Sequence, residues 1–365
     1  SDANAADGSR SRNTVSVNAA TGDAAPVATF GADLTIIGDQ GRITQNTTQA
    51  SMLLRADIEV AEGKAGLEFF TTVDGDGGTI AVDAREGQLQ FNNADLRNIT
   101  LDGAADAGVI VSNVQIDTVT FDIDARAEGT VGRLDGSTVL RDFKLGLGGG
   151  DSLAVSDGLT VNGRLVLEGQ SGASVNLEGT QTIDGSGQIV FSDANAADGS
   201  RSRNTVSVNT AADDTAPVAT FGADLTILGD QGRITQNTTA ATLALLSDLA
   251  VAADKAGLDV FVATTAQGGV IDVLAPDGNI VFFGDVADAT LAVGDGSSIT
   301  LSNATLDTVD LAGTVGITGN ASWTDVTVTG TTTIPGRSTV SALSGLTVDG
   351  VLALAGGDFN ANLSV

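Results

Sequence analysis

The chain has 365 residues, of which 46 are acidic and 17 basic, for a net charge of −29. That imbalance repels phosphate backbones and anionic headgroups, so neither nucleic acid nor a membrane surface is an expected partner. Cysteine and histidine are both absent, which removes disulfides, thiolate metal sites, thiol nucleophiles and the commonest general base. The apolar fraction of 42% is carried by Val, Ile, Leu and Ala, with only 4% aromatic residues. It is enough for a core despite the charge. No run of eighteen apolar residues exists, so no bilayer-spanning helix is expected.

The first eighteen residues, SDANAADGSRSRNTVSVN, return letter for letter at Ser192, so Ser1 reads as the start of one unit in a longer array. The stretch before Asn13 has no apolar pairing and carries Arg10 and Arg12, with counterparts Arg201 and Arg203. It reads as a solvated loop at the junction between units. A sharper reading makes these four arginines self-association contacts to an acidic neighbour, because Arg pairs planar carboxylates well and outnumbers Lys fourteen to three.

Next comes FGADLTIIGDQGRITQNTT at Phe30, which returns at Phe221 with one change. The domain organisation is therefore read as a first copy, 1–191, and a second copy, 192–365, incomplete at its C-terminal end. Past Thr48 the apolar residues fall in alternating couplets: Ile58/Val60, Leu67/Phe69, Ile80/Val82 and Leu89/Phe91. Alternation places both members on one face of an extended strand. The couplets start 9, 13 and 9 residues apart, and 9 with 13 makes a coil of about 22 residues. A competing pattern, leucines at 243, 246 and 249, would suit an amphipathic helix. Strands are preferred, because Gly63 and Gly66 in the equivalent first-copy stretch weaken a helix by about 1 kcal/mol each.

Couplets continue at Ile99/Leu101, Val109/Val111 and Val119/Phe121, and in the second copy at Ile299/Leu301, Val309/Leu311 and Val326/Val328. Asn, Asp and Gly between them tolerate left-handed backbone angles. The predicted fold is all-β: an elongated parallel β-solenoid of about 22 residues per coil, built from two tandem copies of a unit of about 191 residues. One coil cannot hide its apolar face, whereas many stacked coils can.

GDQGRITQNTT, followed by GGTIAV and GNIVF, resembles the coils of filamentous-haemagglutinin-like and autotransporter-passenger surface proteins. The resemblance implies a right-handed β-helix exported to a bacterial surface. The secretion domain and membrane barrel of that family have no recognisable counterpart here.

Ligand candidates are few. Calcium is the cation that all-oxygen sites take, and VDGDGGT sets Asp74 and Asp76 at alternate positions. LGGGDSLAV around Asp151 is similar to a single calcium-binding nonapeptide. The second copy reads TTAQGGV opposite Asp74 and Asp76, without the acids. No cofactor is expected beyond Ca2+ at Asp74, Asp76 and Asp151, and no catalytic residue is assigned.

The expectation is a non-catalytic extracellular structural protein of a bacterial or archaeal surface in a saline environment. It would be a shaft or subunit of a fibre, sheath or adhesin whose partner is itself, head to tail or through further copies in one polypeptide. A glycan-binding adhesin is the alternative and would place Trp323 or Phe residues outward; a polysaccharide lyase or hydrolase is the more distant rival.

Overall fold

A computed structural model describes residues 13–19, 25–47, 49–62, 64, 66–85, 88–146, 150–168, 172–192, 203–251, 255, 257–276, 280–356 and 360–365. Arg10, Arg12 and Arg201 lie outside the described residues. The chain forms two compact units, Ser1–Val166 and Leu167–Val365. Among the described residues every element is a strand and there is no helix.

The first unit shows how a coil is made. Strands β1 (Asn13–Val17), β2 (Val27–Phe30) and β3 (Thr35–Ile37) form three walls of the first coil. Then β4 (Gly41–Gln45), β5 (Ser51–Leu54) and β6 (Asp57–Val60) repeat the path, and β7 (Leu67–Phe70) opens the third. Each strand pairs in parallel with the strand three places on: β1 with β4, β2 with β5, β3 with β6 and β4 with β7. Parallel neighbours need a crossover between them, and here the other two walls supply it. The second unit is built the same way, strands Asn204–Asn209, Val218–Phe221 and Thr226–Leu228 pairing with Gly232–Gln236, Thr242–Leu245 and Asp248–Ala250.

The helical alternative is excluded, since the leucine-rich segment is strand at Thr242–Leu245 and again at Asp248–Ala250. Both units are parallel β-solenoids.

The coil length is not constant. In the first unit the register runs from Asn13 to Gly41, Leu67, Leu89, Val109 and Ala125, steps of 28, 26, 22, 20 and 16 residues. In the second it runs from Asn204 to Gly232, Leu258, Ile280, Ile299 and Val315, steps of 28, 26, 22, 19 and 16. The 22-residue spacing read from the sequence is the middle coil and close to the mean. Early coils spend residues on loops between walls. The short middle coils fuse two walls into one bent strand, such as Asp95–Gly103 and Gln115–Asp122, where one left-handed residue turns the corner. Those residues are Asn98 (φ 49°) and Thr118 (φ 56°), with Asp288 and Thr308 in the second unit. Coils of 22 residues with separate walls return at Thr130–Ser152 and Ser137–Leu159.

One register differs from the sequence reading. Ile58/Val60 stacks on Val82/Ala84, a step of 24, whereas Ile80 pairs with Leu101. The cause is the tight bend around Asp76 and Gly77 inside the long strand Thr72–Ala84. The shift is two residues, so every side chain keeps its face.

Inward residues stack coil upon coil. Phe69 and Phe91 lie face to face with ring centres 5.0 Å apart, and Phe121 meets Phe143 edge-on at 5.3 Å. All four are fully buried.

Left-handed geometry is costly for a β-branched residue, roughly 1–2 kcal/mol. Thr118→Asn is therefore expected to stabilise the first unit by about 0.5–1 kcal/mol, since Asn tolerates this region, as Asn98 does one coil earlier. A higher urea midpoint with unchanged slope checks it; a lower midpoint contradicts the corner assignment.

Candidate functional site

Asp74 and Asp76 sit at the bend of strand Thr72–Ala84. The Asp76 amide donates to Asp74 Oδ1 at 2.8 Å, and the Asp76 carboxylate pairs with Arg55. The second unit forms the same bend without the acids: Gln267 (φ 54°) replaces Asp76 (φ 52°), and its amide donates to Thr265 Oγ1 at 3.0 Å. Asp74 thus has a local turn-forming role that a threonine also fills.

Asp151 is only 1% exposed. Its Oδ1 accepts from the Gly129 amide at 2.7 Å and its Oδ2 from the Gly146 amide at 2.9 Å. Both oxygens hold backbone at a coil corner. The three aspartates are not brought together: Asp74 and Asp76 share one bend, while Asp151 holds another corner. Among the described residues no group of three or more His, Cys, Asp or Glu is placed to hold a metal ion.

Arg203 makes an ion pair with Asp259. Asp259 is in register with Arg233 on the outer face of the same wall. Beside them runs a cation–aromatic surface feature of the second unit. The Arg233 guanidinium lies over the Phe261 ring, 5.1 Å from its centre. Phe261 in turn stacks on Phe283, with centres 4.5 Å apart and planes 4° from parallel. Phe283 is 39% exposed. A cation and two flat rings thus form an outward ladder on an acidic molecule, an arrangement that suits the apolar face of a sugar ring or a flat cation. In the first unit Arg42 lies 4.6 Å from the Phe70 ring and bonds Glu68 at 3.3 Å. The ladder stops there because Asn92 stands where Phe283 does.

Trp323, the other aromatic considered for an outward role, is fully buried in register with Leu306 and Ala342. The outward ladder was missed in the sequence, although Phe282–Phe283 signals it. Two adjacent aromatics in a strand must face opposite ways.

An open hollow in the first unit is lined by Asp57, Glu59, Asp83 and Asp102. Asp57 accepts from the Ala81 amide at 3.1 Å, so one of its acids already serves the backbone. The second-unit counterpart of Asp57, Asp248, is exposed, yet its carboxyl is held above its ordinary value, first by partial desolvation and then by the charge of Asp272. A raised folded-state pKa means the ionised form is penalised in the native protein. The penalty is present at neutral pH and is relieved as pH falls through the folded pKa toward the unfolded value. Asp248→Asn is therefore expected to stabilise the protein at pH 7 and to lose that advantage at about pH 3, read from denaturant midpoints at both pH values. An advantage that grows on acidification contradicts the assignment.

Compared with protein-family models, curated proteins and solved structures, the chain matches none.

Proposed function

We propose that this chain is a non-catalytic structural protein, the shaft of an extracellular fibre, sheath or adhesin of the filamentous-haemagglutinin or autotransporter-passenger kind, on a bacterial or archaeal surface. The observation that carries the reading is the parallel ladder that runs from coil to coil among the described residues of each unit. Backbone hydrogen bonds join every coil to the next, and buried apolar columns join the coils from within. Such an array lengthens by adding coils, each contacting only its neighbours. The acidic exterior keeps like fibres apart and suits a saline medium, where counterions screen its self-repulsion.

Immunogold labelling of the native source with antibody to the purified chain tests this. Label along surface filaments is expected; label confined to the cell interior overturns it. Raising salt from about 0.01 M to about 1 M shortens the screening length from ~30 Å to ~3 Å, so the melting temperature is expected to rise steadily. A melting temperature that falls over that range contradicts it.

The Arg233–Phe261–Phe283 ladder favours one second reading, a glycan-binding role for the second unit. Phe283→Ala removes the exposed ring, and oligosaccharide retention on an array is expected to fall at least about tenfold with the circular dichroism spectrum unchanged. Retention unaltered by Phe283→Ala removes this reading.

A further inference from the structure

The duplicated sequence sets the same strands in two surroundings. In the second unit, Asn204–Asn209, Val218–Phe221 and Thr226–Leu228 carry a preceding coil made of Ser174–Glu178, Gln181–Asp184 and Gln188–Phe191. In the first unit the matching strands β1, β2 and β3 form the leading described coil. The change in burial follows. Val206 is 2% exposed and its counterpart Val15 is 52% exposed; Leu225 is 1% exposed and Leu34 is 53%. The fold around them is otherwise the same, with Val15 in register with Ile43 as Val206 is with Ile234.

We propose that the leading face of β1–β3 is a docking surface for a coil of the sequence Leu167–Phe191 supplied by a further copy of the repeat. This deepens the stacking reading above and rests on it. The occupied second-unit face fixes the register of the contact. Val175 lies beside Val206, Leu177 beside Val208, Ile183 beside Phe221 and Ile189 beside Ile227. The incoming residues therefore meet Val15, Val17, Phe30 and Ile36.

Two further features single out this occupant. Asn204 is fully buried and fastens three backbone groups: its Nδ2 donates to Leu167 O at 2.8 Å and Ser192 O at 2.6 Å, and its Oδ1 accepts from the Ala173 amide at 2.8 Å. Asn13 holds the same position at the exposed face. The second feature is a glycine. A Cβ on Gly232 would meet the Phe191 ring at 2.5 Å, so the ring sits flat against that glycine. At the counterpart, Gly41, the contact a Cβ would make among the described residues is with the end of the Leu67 side chain, at 2.8 Å. Among the described residues no ring stands against Gly41 as Phe191 stands against Gly232.

The test places Leu167–Phe191 directly before Ser1 of the full chain, which recreates the junction found at Ser192. A scrambled prefix of the same composition is the control. In the second unit the Gly222 amide donates to Ile183 O at 2.9 Å and the Thr226 amide to Gly187 O at 3.1 Å. Their counterparts, the Gly31 and Thr35 amides, are expected to exchange hydrogen at least about tenfold more slowly with the native-order prefix than with the scrambled one. Adding Gly41→Ala, which the flexible Leu67 side chain accommodates, is expected to abolish the difference. Equal exchange behind both prefixes overturns the proposal, and protection that survives Gly41→Ala overturns the seating of Phe191. Micrographs of the native material separate the two readings. Protection without surface fibres keeps the docking face and sinks the shaft, whereas fibres without protection sink the docking face alone.

Discussion

Phe91→Ala is expected to destabilise the first unit by about 3–5 kcal/mol, the range for truncating a fully buried phenylalanine. Phe91 is fully buried, stacks on Phe69 and lies in register with Val111 on the next coil. Removing the ring leaves a cavity bounded on both sides by coils whose spacing is fixed by backbone hydrogen bonds at about 4.8 Å. A helix pair can slide inward to fill such a gap, but a parallel ladder cannot, so the cost belongs at the upper end. Because each coil touches only its neighbours, the loss also weakens the coupling between the coils on either side. Chemical denaturation checks this, with Gln90→Ala as the control: Gln90 faces outward beside Phe91 and its loss is expected to change stability by no more than about 0.5 kcal/mol. Equal effects from the two substitutions would mean that the inward and outward faces are misassigned.

Asp151→Ala is expected to cost about 2–6 kcal/mol. The carboxylate takes one backbone amide on each oxygen, Gly129 and Gly146, at a buried corner. Deleting it strands both donors away from water, each at roughly 1–3 kcal/mol. Asp151→Asn is expected to lie between wild type and Asp151→Ala, since an amide group offers one acceptor and presents a donor to the second amide. The second unit supplies the natural comparison. Ser338 stands at the equivalent corner, is buried, and accepts from the Gly319 amide at 3.2 Å. Asp151→Ser should therefore be milder than Asp151→Ala. The order Asp, Asn or Ser, then Ala in denaturant midpoints is the expected result. Restoration of the Asp151→Ala midpoint by added calcium would contradict a purely structural role.

The strands and their facing were legible because alternation is local. Leu67/Phe69 and Leu89/Phe91 declare an inward face without reference to anything distant, and their 22-residue step is a true coil. Corners such as Asn98 were legible for the same reason, since the residue type answers to its own backbone angle. The changing coil length was not, because it depends on whether a corner is a loop or a single left-handed residue. Only packing settles that choice. Thr118, a residue that local preference argues against, turns a corner in the middle of a strand. Asp151 was visible as an acid among glycines, but its partners are amides 22 and 5 residues away. No spacing rule separates that from a metal loop. Val15 and Val206 share one local sequence, so no local pattern separates the exposure of the first from the burial of the second.

Parallel coils stacked in register make the fold, and a cysteine-free chain allows this to be measured directly. Thr14, Arg42, Glu68, Gln90, Ile110, Arg126 and Lys144 form one row across seven coils of the first unit, each in register with the next. Spin labels on cysteines placed pairwise along that row should report separations growing by about 4.8 Å per coil: about 24 Å from Arg42 to Lys144 and about 29 Å from Thr14 to Lys144. Separations that fail to grow with coil number, or that collapse to one short value as in a folded-back sandwich, would contradict the solenoid.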